Sequence, residues 1–474
     1  MAGIKAIDVV IMAAGKGTRM KSKLPKVLHP LAGRALVLHV MGTVAEIGAR
    51  RAVVITGHGA EAVEAACRPN PGVLPALDVQ FVRQQPQLGT GHAVQQAVPV
   101  LADDAIVVVL SGDVPLTQAT TLRSLITLCA GDQLALLTLE LPNPSGYGRI
   151  VRSLHPQGAT GDAPVLAIVE QKDANVEQLA IREIYSGIMA VPAHLLKRWL
   201  ARLDNKNAQQ EYYLTDIVKF AVSDGVAVVA HKITDAVQVV GVNSPLQLAE
   251  LERAFQQRLA TQFMEQGVRI SDPARFDVRG DLRCGQDVAI DINCVFEGVV
   301  SLGDDVSIGA NCVIANASIA AGAVIHPFTH IDGETTGVTV GAGALVGPFA
   351  RLRPGAVLGA QVHVGNFVEV KNSTLAKGAK ANHLAYLGDA TVGERVNYGA
   401  GSITANYDGA HKHRTVIEAD VHVGSNCVLV APVTIGAAGT IAAGSTITKD
   451  TPPGTLSVAR GKQLQVAGWK RPKK

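Results

Sequence analysis

Three stretches of this 474-residue chain hold side chains whose types and spacing point to chemistry. The first is Ala13-Ala14-Gly15-Lys16-Gly17-Thr18-Arg19, preceded by the apolar run Ile7 to Met12 and followed by Leu24-Pro25-Lys26. Glycines after a short strand let backbone N–H groups approach phosphate oxygens, and Arg19 and Lys26 supply cations to neutralise them. The dinucleotide fingerprint needs a third glycine where Met20 stands, and the P-loop order is absent. On these residues alone, phosphate binding competes with an ordinary strand-to-helix turn. The second stretch is Ser111-Gly112-Asp113, after the buried run Ile106 to Leu110. An aspartate there, facing a triphosphate, would hold Mg²⁺; equally, it would cap a helix or shape a turn. The third gathers Lys371, His383, Tyr386, Asn397 and Asn406-Tyr407-Asp408-Gly409, with Arg353 just upstream. Here a neutral imidazole would accept a proton near neutral pH, while two cations would grip an anion; on its own, though, a histidine such as His383 is more often a structural or surface residue.

Two kinds of element must position these groups. Around the first two stretches, short apolar runs such as Ala52–Thr56 and Val79–Arg83 alternate with helical segments. That alternation predicts a mostly parallel, doubly wound α/β sheet whose ligands lie at the carboxyl ends of its strands. From about residue 284 to about 450 the chain instead keeps a six-residue beat: Ile290, Phe296, Leu302, Ile308 and Ile314, then Val340 through Val370, then Val423 through Ile447. Four residues after each beat comes a small side chain, as at Cys294, Cys312, Ser318, Ala344 and Ala356. Neither the 3.6-residue helix period nor the two-residue strand period explains a period of six. Three short strands and three turns closing a triangular coil do, and stacked coils form a left-handed parallel β-helix with a narrow core. The beat is expected to falter between Lys371 and Ala419, and interruptions of a solenoid are where function sits. Between the two regions, Ser244-Pro245 starts a helix on which Leu251, Phe255, Leu259 and Phe263 form one apolar stripe ending near Gly267.

The length calls for two domains. A formal net charge of +3 is too small to argue for nucleic acid or an acidic partner, and neither nucleic acid nor membrane is expected. Six cysteines without CxxC spacing suggest neither zinc nor a disulfide framework, and Cys294, Cys312 and Cys427 fall at the small inward position as buried thiols. Met1 to Gly15 has neither the cleavage site of a signal peptide nor an apolar run long enough to span a membrane, so a cytoplasmic location is expected.

The motifs Gln84…Leu88-Gly89-Thr90-Gly91-His92-Ala93, Gly146-Tyr147-Gly148-Arg149, Val169-Glu170-Gln171-Lys172-Asp173-Ala174 and Gly241-Val242-Asn243 complete the first stretch. Together they resemble the signature of sugar-phosphate nucleotidyltransferases. His383-Leu384-Ala385-Tyr386-Leu387-Gly388-Asp389 and the hexads narrow the likeness. The chain then resembles the bacterial family that unites N-acetylglucosamine-1-phosphate uridylyltransferase and glucosamine-1-phosphate N-acetyltransferase activities. The resemblance covers nearly the whole chain, with motifs in matching order. It implies a Rossmann-like nucleotidyltransferase domain at residues 1–243, a linker helix at 244–267 and the β-helix acetyltransferase domain at 268–474.

For the first site the resemblance implies that Met12, Ala13, Ala14, Gly15, Arg19, Lys26, Gln84, Gly89, Thr90, Ser111, Gly112 and Asp113 bind UTP. Gly148, Glu170 and Asn243 bind N-acetylglucosamine 1-phosphate, and Asp113 and Asn243 hold Mg²⁺. For the second it implies His383 as general base, with Arg353 and Lys371 on the phosphate of glucosamine 1-phosphate and Tyr386 and Asn397 on its hydroxyls. Ala400, Asn406, Tyr407, Ser425, Ala443 and Arg460 then line an acetyl-CoA groove between subunits of a homotrimer, with the Ala400 amide steadying the oxyanion. Where the family usually has Asn-Thr-Gly or Asn-Ser-Gly after a Glu-aliphatic pair, this chain has Glu183-Ile184-Tyr185-Ser186-Gly187. Tyr185 therefore stands outside the expected sugar ligands.

Two other readings compete. One is a single-activity nucleotidyltransferase with a structural or regulatory β-helix. The other is a zinc hydratase, disfavoured because His326, His330, His363 and His383 lack the coil-length spacing that would bring them together. His411-Lys412-His413-Arg414 is expected to be an exposed loop, and Lys470-Arg471-Pro472-Lys473-Lys474 a solvated terminus.

Overall fold

The computed structural model describes residues 6–68, 77–129, 132–153 and 163–472. Met1–Lys5 of the amino-terminal stretch and Lys473 and Lys474 of the basic tail lie outside the described residues. The chain forms two compact units, Met1–Phe255 and Gln256–Lys474.

In the first unit, buried apolar runs form the middle of a nine-stranded sheet. Its path runs Asp78–Arg83, Arg51–Thr56, Ile7–Ala13, Ile106–Ser111, Glu183–Pro192, Leu134–Glu140, Val228–Ile233. Along Ile106–Ser111, Val107 and Val109 face one apolar cluster while Ile106, Val108 and Leu110 face another. Burial on both faces explains why the run shows no polar alternation. Helices Thr90–Ala97 and Ala193–Leu200 cover one face, and Leu36–Glu46 and Ala119–Leu128 the other. Glu183–Pro192 is antiparallel to both its neighbours, so the sheet is mixed rather than parallel throughout. From Ile7–Ala13 the chain winds outward through Arg51–Thr56 to Asp78–Arg83, then returns to the other side of its first strand as Ile106–Ser111. That reversal makes a crevice at the carboxyl ends of two adjacent strands, where Met12 stands opposite Ser111.

The helix Pro245–Glu265 is 21 residues long, so it spans about 30 Å. Ser244 caps it by accepting a bond from the Gln247 N–H at 3.3 Å. Gly267, at φ 96°, follows its end. Leu251 and Phe255 belong to an apolar cluster of the first unit, and Leu259 and Phe263 pack on the core of the second. The stripe is packing.

In the second unit each inward residue pairs with the one a full coil later, as Ile290 with Ile308 and Val346 with Val364, eighteen residues on. Three hexads thus make one turn of a left-handed parallel β-helix, with one sheet of eleven short strands taking a single strand per coil. Cys294, Cys312 and Cys427 are buried in its core as free thiols. Burial pushes Cys294 up to about 12 and Cys312 to about 11.

Two details depart from the expected beat. The step from Ile314 to Ile319 is five residues, and the ladder shifts register between Glu297 and Val300. Ala317 thereby takes the inward place expected of Ser318, which is exposed. Nor does the beat falter at Lys371: Leu375, Ala381, Leu387, Val392, Tyr398 and Thr404 are all buried. Five-residue steps to Leu375 and Val392 hide this continuity from a count of six. The long excursion leaves after Ala405 and returns at Thr415. No helix among the described residues is long and apolar enough to cross a membrane.

Candidate functional sites

The crevice at the sheet reversal holds a cavity of about 400 Å³. Met12, Ala13, Ala14, Gly15, Lys26, Gln84, Gly89, Thr90, Ser111 and Asp113 line it, as the motifs led one to expect. Gly17 adopts φ 59°, and a Cβ there would stand 2.7 Å from the Lys26 Cβ, so glycine is required for Lys26 to reach inward. Lys26 Nζ forms an ion pair with Asp113 and lies 3.1 Å from Asn243 Oδ1. Asn243 is held there because the Val242 N–H donates to the Asp113 carbonyl at 2.9 Å. A carboxylate and a carboxamide oxygen therefore converge on one cation, the donor set that a hard divalent ion takes together with water and phosphate oxygens. The residues fit a divalent metal.

Other members fall in different places. Gly112 closes the crevice floor through its N–H bond to the Met12 carbonyl at 2.9 Å. The amide nitrogen of Gln84 donates to the Gly89 carbonyl at 3.0 Å and lies 3.3 Å from His92 Nδ1. Thr90 opens a helix, and its Oγ1 accepts from the Leu214 N–H at 3.1 Å. Arg19 is exposed in the turn Thr18–Met20, outside the residues lining this cavity. Gln87 and Glu211 also line it and were not anticipated. Gln87 donates to the Ala14 carbonyl, fixing the glycine-rich loop, but no motif marks it.

Glu170 lines a neighbouring cavity of about 290 Å³ and accepts a bond from Thr215 Oγ1 at 3.0 Å. Burial pushes its carboxyl up, against the opposing Thr215 bond. A Cβ on Gly148 would lie 2.8 Å from Ile168 Cγ2 and 3.6 Å from Glu170 Oε1, so only glycine leaves that approach open. Asn243 stands with Lys26 and Asp113, not among the residues lining this cavity. Tyr185 is buried, its N–H donates to the Gly148 carbonyl at 2.9 Å, and its hydroxyl has no hydrogen-bond partner among the described residues. Burial and the nearby Glu170 charge raise its phenol well above the usual range.

On the β-helix, one column of backbone hydrogen bonds joins residues from successive coils. Leu384 N–H donates to the Asn366 carbonyl, Gly401 to His383, Asn426 to Ala400 and Gly444 to Ser425, at 2.8 to 3.3 Å. Arg460 Nη1 then donates to the Ala443 carbonyl at 2.8 Å. His383, Ala400, Ser425, Ala443 and Arg460 are thus brought to one edge of the solenoid, with coils about 4.8 Å apart. His383 is exposed, and its Nδ1 lies 2.8 Å from Asn366 Oδ1. Asn397 is exposed one strand over from Lys380.

Of the cations, Arg353 directly follows the strand Arg351–Leu352, Lys371 ends the strand Glu369–Lys371, and Lys412 lies in the excursion. Arg353 bonds Glu369 at 2.9 Å, which raises its pKa. The facing Lys412 ammonium pushes the Lys371 pKa down, with burial and Arg353 adding to the effect. Lys412, Lys371 and Arg353 therefore form a cationic cluster in which only two members were expected. Tyr386 pairs with Glu369 across the ladder, and Gly388 leaves room for its ring: a Cβ there would lie 2.3 Å from the Tyr386 hydroxyl.

Asp389 was missed, although it ends a recognised motif. It is 7% exposed, and its two carboxylate oxygens accept from the amides of Asn372 and Asn406. Asn406 is thereby fixed at the root of the excursion. Asp408 organises the rest, accepting from the N–H groups of Ala410 at 2.8 Å and His411 at 2.7 Å and from His413 Nε2 at 2.7 Å. These bonds, His411 first and then His413, hold its carboxyl well below the usual range. Tyr407 is 61% exposed beside it, its hydroxyl donating to the Gly409 carbonyl at 2.6 Å.

The sequence pattern of the MobA-like NTP transferase domain matches residues 9–182. Proteins similar over their whole length include the bifunctional protein GlmU of Polaromonas naphthalenivorans, 74% identical over 471 residues and covering 99% of each chain. That of Albidiferax ferrireducens is 73% identical over 472 residues, 99% of this chain and 100% of the other. That of Methylibium petroleiphilum is 67% identical over 468 residues, 99% of each. With two built sites, one in each unit, and identity of this order from end to end, the chain belongs to the GlmU family of bifunctional proteins.

Proposed function

We propose that the two sites carry two steps in the synthesis of UDP-N-acetylglucosamine. The second unit transfers acetyl from acetyl-CoA to glucosamine 1-phosphate. The first transfers uridylyl from UTP to N-acetylglucosamine 1-phosphate and releases pyrophosphate. The observation that carries the double assignment is the column of His383, Ala400, Ser425 and Ala443 on successive coils, which gives the solenoid a site of its own.

In acetyl transfer, the neutral 2-amine of the sugar attacks the thioester carbonyl and His383 takes the proton it sheds. The C–N bond forms, the C–S bond breaks, and the proton on His383 passes to the departing thiolate. Arg353 and Lys371 hold the 1-phosphate; an arriving dianion relieves the repulsion between Lys371 and Lys412. Tyr386 and Asn397 orient hydroxyls, the Ala400 N–H steadies the oxyanion, and Asn406, Tyr407, Ser425, Ala443 and Arg460 bind acetyl-CoA.

In uridylyl transfer, Lys26 and Arg19 neutralise the triphosphate while Gln84, Gly89 and Thr90 hold the uracil. Asp113 and Asn243 would hold Mg²⁺, which when bound would supply positive charge to offset that of the phosphates. Gly148 and Glu170 place the sugar so that its phosphate oxygen attacks the α-phosphorus in line.

Residues 1–243, 244–267 and 268–474 are the uridylyltransferase domain, linker helix and acetyltransferase domain, and the working form is a cytoplasmic homotrimer. Supporting self-association, Phe328, Phe349 and Phe367 stack at 4.9 and 5.4 Å on one corner of the solenoid, each about half exposed. Two assays on the purified protein test the double assignment. They are thiol release from acetyl-CoA that depends on glucosamine 1-phosphate, and pyrophosphate release from UTP that depends on N-acetylglucosamine 1-phosphate. Absence of the first would leave a single-activity nucleotidyltransferase on a scaffold.

A further inference from the structure

The geometry points to Asn366 as the positioning residue that decides which imidazole nitrogen of His383 carries the proton, an inference that rests on His383 being the base of acetyl transfer. Asn366 ends the strand His363–Asn366 and His383 ends the strand Lys380–His383; the two stand directly opposite on neighbouring coils. Asn366 Oδ1 lies 2.8 Å from His383 Nδ1. The backbone fixes both. Leu384 N–H donates to the Asn366 carbonyl at 3.1 Å and Gly401 N–H to the His383 carbonyl at 3.3 Å. Phe367 and Leu384, the residues that follow each, are left-handed at φ 56° and 50°, so both side chains leave the coil just before the same kind of corner.

A carboxamide oxygen only accepts, so Nδ1 carries the hydrogen and the neutral ring keeps its lone pair on Nε2. Nε2 is then the atom that takes the proton from the attacking amine. With the carboxamide turned the other way, its NH₂ would donate to a bare Nδ1 and Nε2 would already hold a hydrogen, leaving the base unable to act. Once His383 is protonated, Nδ1–H still donates to the same neutral oxygen. No charge is added that would hold the proton back from the thiolate.

The test compares Asn366→Leu, which keeps size but cannot accept, with Asn366→Asp, which can. Asn366→Leu should lower kcat for acetyl transfer about tenfold to a hundredfold, the size of effect seen when the partner that orients a metal-bound histidine is removed. KM for glucosamine 1-phosphate should stay within about twofold, because substrate binding is untouched. Asn366→Asp should keep the native tautomer and regain only part of that loss, because its charge holds the proton on His383. In ¹⁵N-histidine-labelled protein, the His383 ring, identified by its disappearance in His383→Gln, should show a protonated Nδ1 and a bare Nε2. In Asn366→Leu it should shift toward the opposite tautomer. Thermal unfolding and uridylyl transfer by each variant report on folding. A wild-type kcat in folded Asn366→Leu, or a hydrogen on Nε2 in the native ring, overturns the inference. If His383→Gln itself keeps acetyl transfer, the base assignment fails instead.

Discussion

Lys26 and Asp113 lie 87 residues apart in the chain and form an ion pair, their side chains 14% and 16% exposed. The pair exists because the order of winding reverses between the parallel strands that precede these residues, so the glycine-rich loop and the Ser111-Gly112-Asp113 turn share one crevice. Asn243 reaches the same ammonium. One cation and two hard oxygens thus meet where a triphosphate and a divalent ion would need all three.

Chelation should therefore separate the two activities. Excess EDTA is expected to abolish pyrophosphate release while thiol release continues, since acetyl transfer is assigned to His383, Arg353 and Lys371. Added Mg²⁺ should restore the first. Equal loss of both on chelation would contradict the assignment of the metal to Asp113 and Asn243 alone.

Glu170 gives a pH-dependent expectation. Its folded pKa lies above the unfolded value because burial disfavours the carboxylate. Between those two values the folded state binds more protons than the unfolded one, so stability falls as pH rises through the window. Glu170→Gln should thus melt at a higher temperature than the native protein near pH 7, with the gap closing below the unfolded carboxylate range near pH 4. The same variant should raise KM for N-acetylglucosamine 1-phosphate. Melting curves that differ equally at both pH values would show the carboxyl is not strained by burial.

Asp389 makes a stability prediction tied to acetyl-CoA. Asp389→Ala strands the amides of Asn372 and Asn406 inside the coil, a loss of about 1–3 kcal/mol. Because Asn406 anchors the excursion, the KM for acetyl-CoA should rise more than that for glucosamine 1-phosphate. Denaturant unfolding and initial rates would check both. Unchanged acetyl-CoA affinity would make Asp389 purely structural.

Phe349 sits between Phe328, stacked at 4.9 Å and 6°, and Phe367, at 5.4 Å and 17°. If a second copy covers this ladder, Phe349→Glu should halve or further reduce the mass seen by light scattering and take acetyl transfer with it. Pyrophosphate release should survive. A native protein that is monomeric with full acetyl transfer would remove the trimer.

The parts legible in the sequence are those where one residue type repeats for one physical reason. Ile290 and Ile308 announce the coil because each turn needs an aliphatic side chain at the same inward place. Leu375 and Val392 escaped because their coils step by five, a change that alters the count without altering the packing. The glycine-rich loop and Asp113 were legible from type and spacing. Gln87, which fixes that loop, was not, since one amide side chain among many carries no pattern. Asn366 is invisible for a different reason: its partner lies 17 residues away, and only the coil puts them side by side. Arg19, exposed and outside the residues lining the cavity, is placed with the phosphates by its motif alone.

The claim that all of this serves is that one polypeptide holds two independent catalytic sites. The most direct measurement is to assay Asp113→Ala and His383→Gln, each for thiol release and for pyrophosphate release. Independent sites predict that Asp113→Ala loses pyrophosphate release with thiol release intact, and that His383→Gln shows the reverse. Loss of both activities in either folded variant, or retention of both, would contradict it.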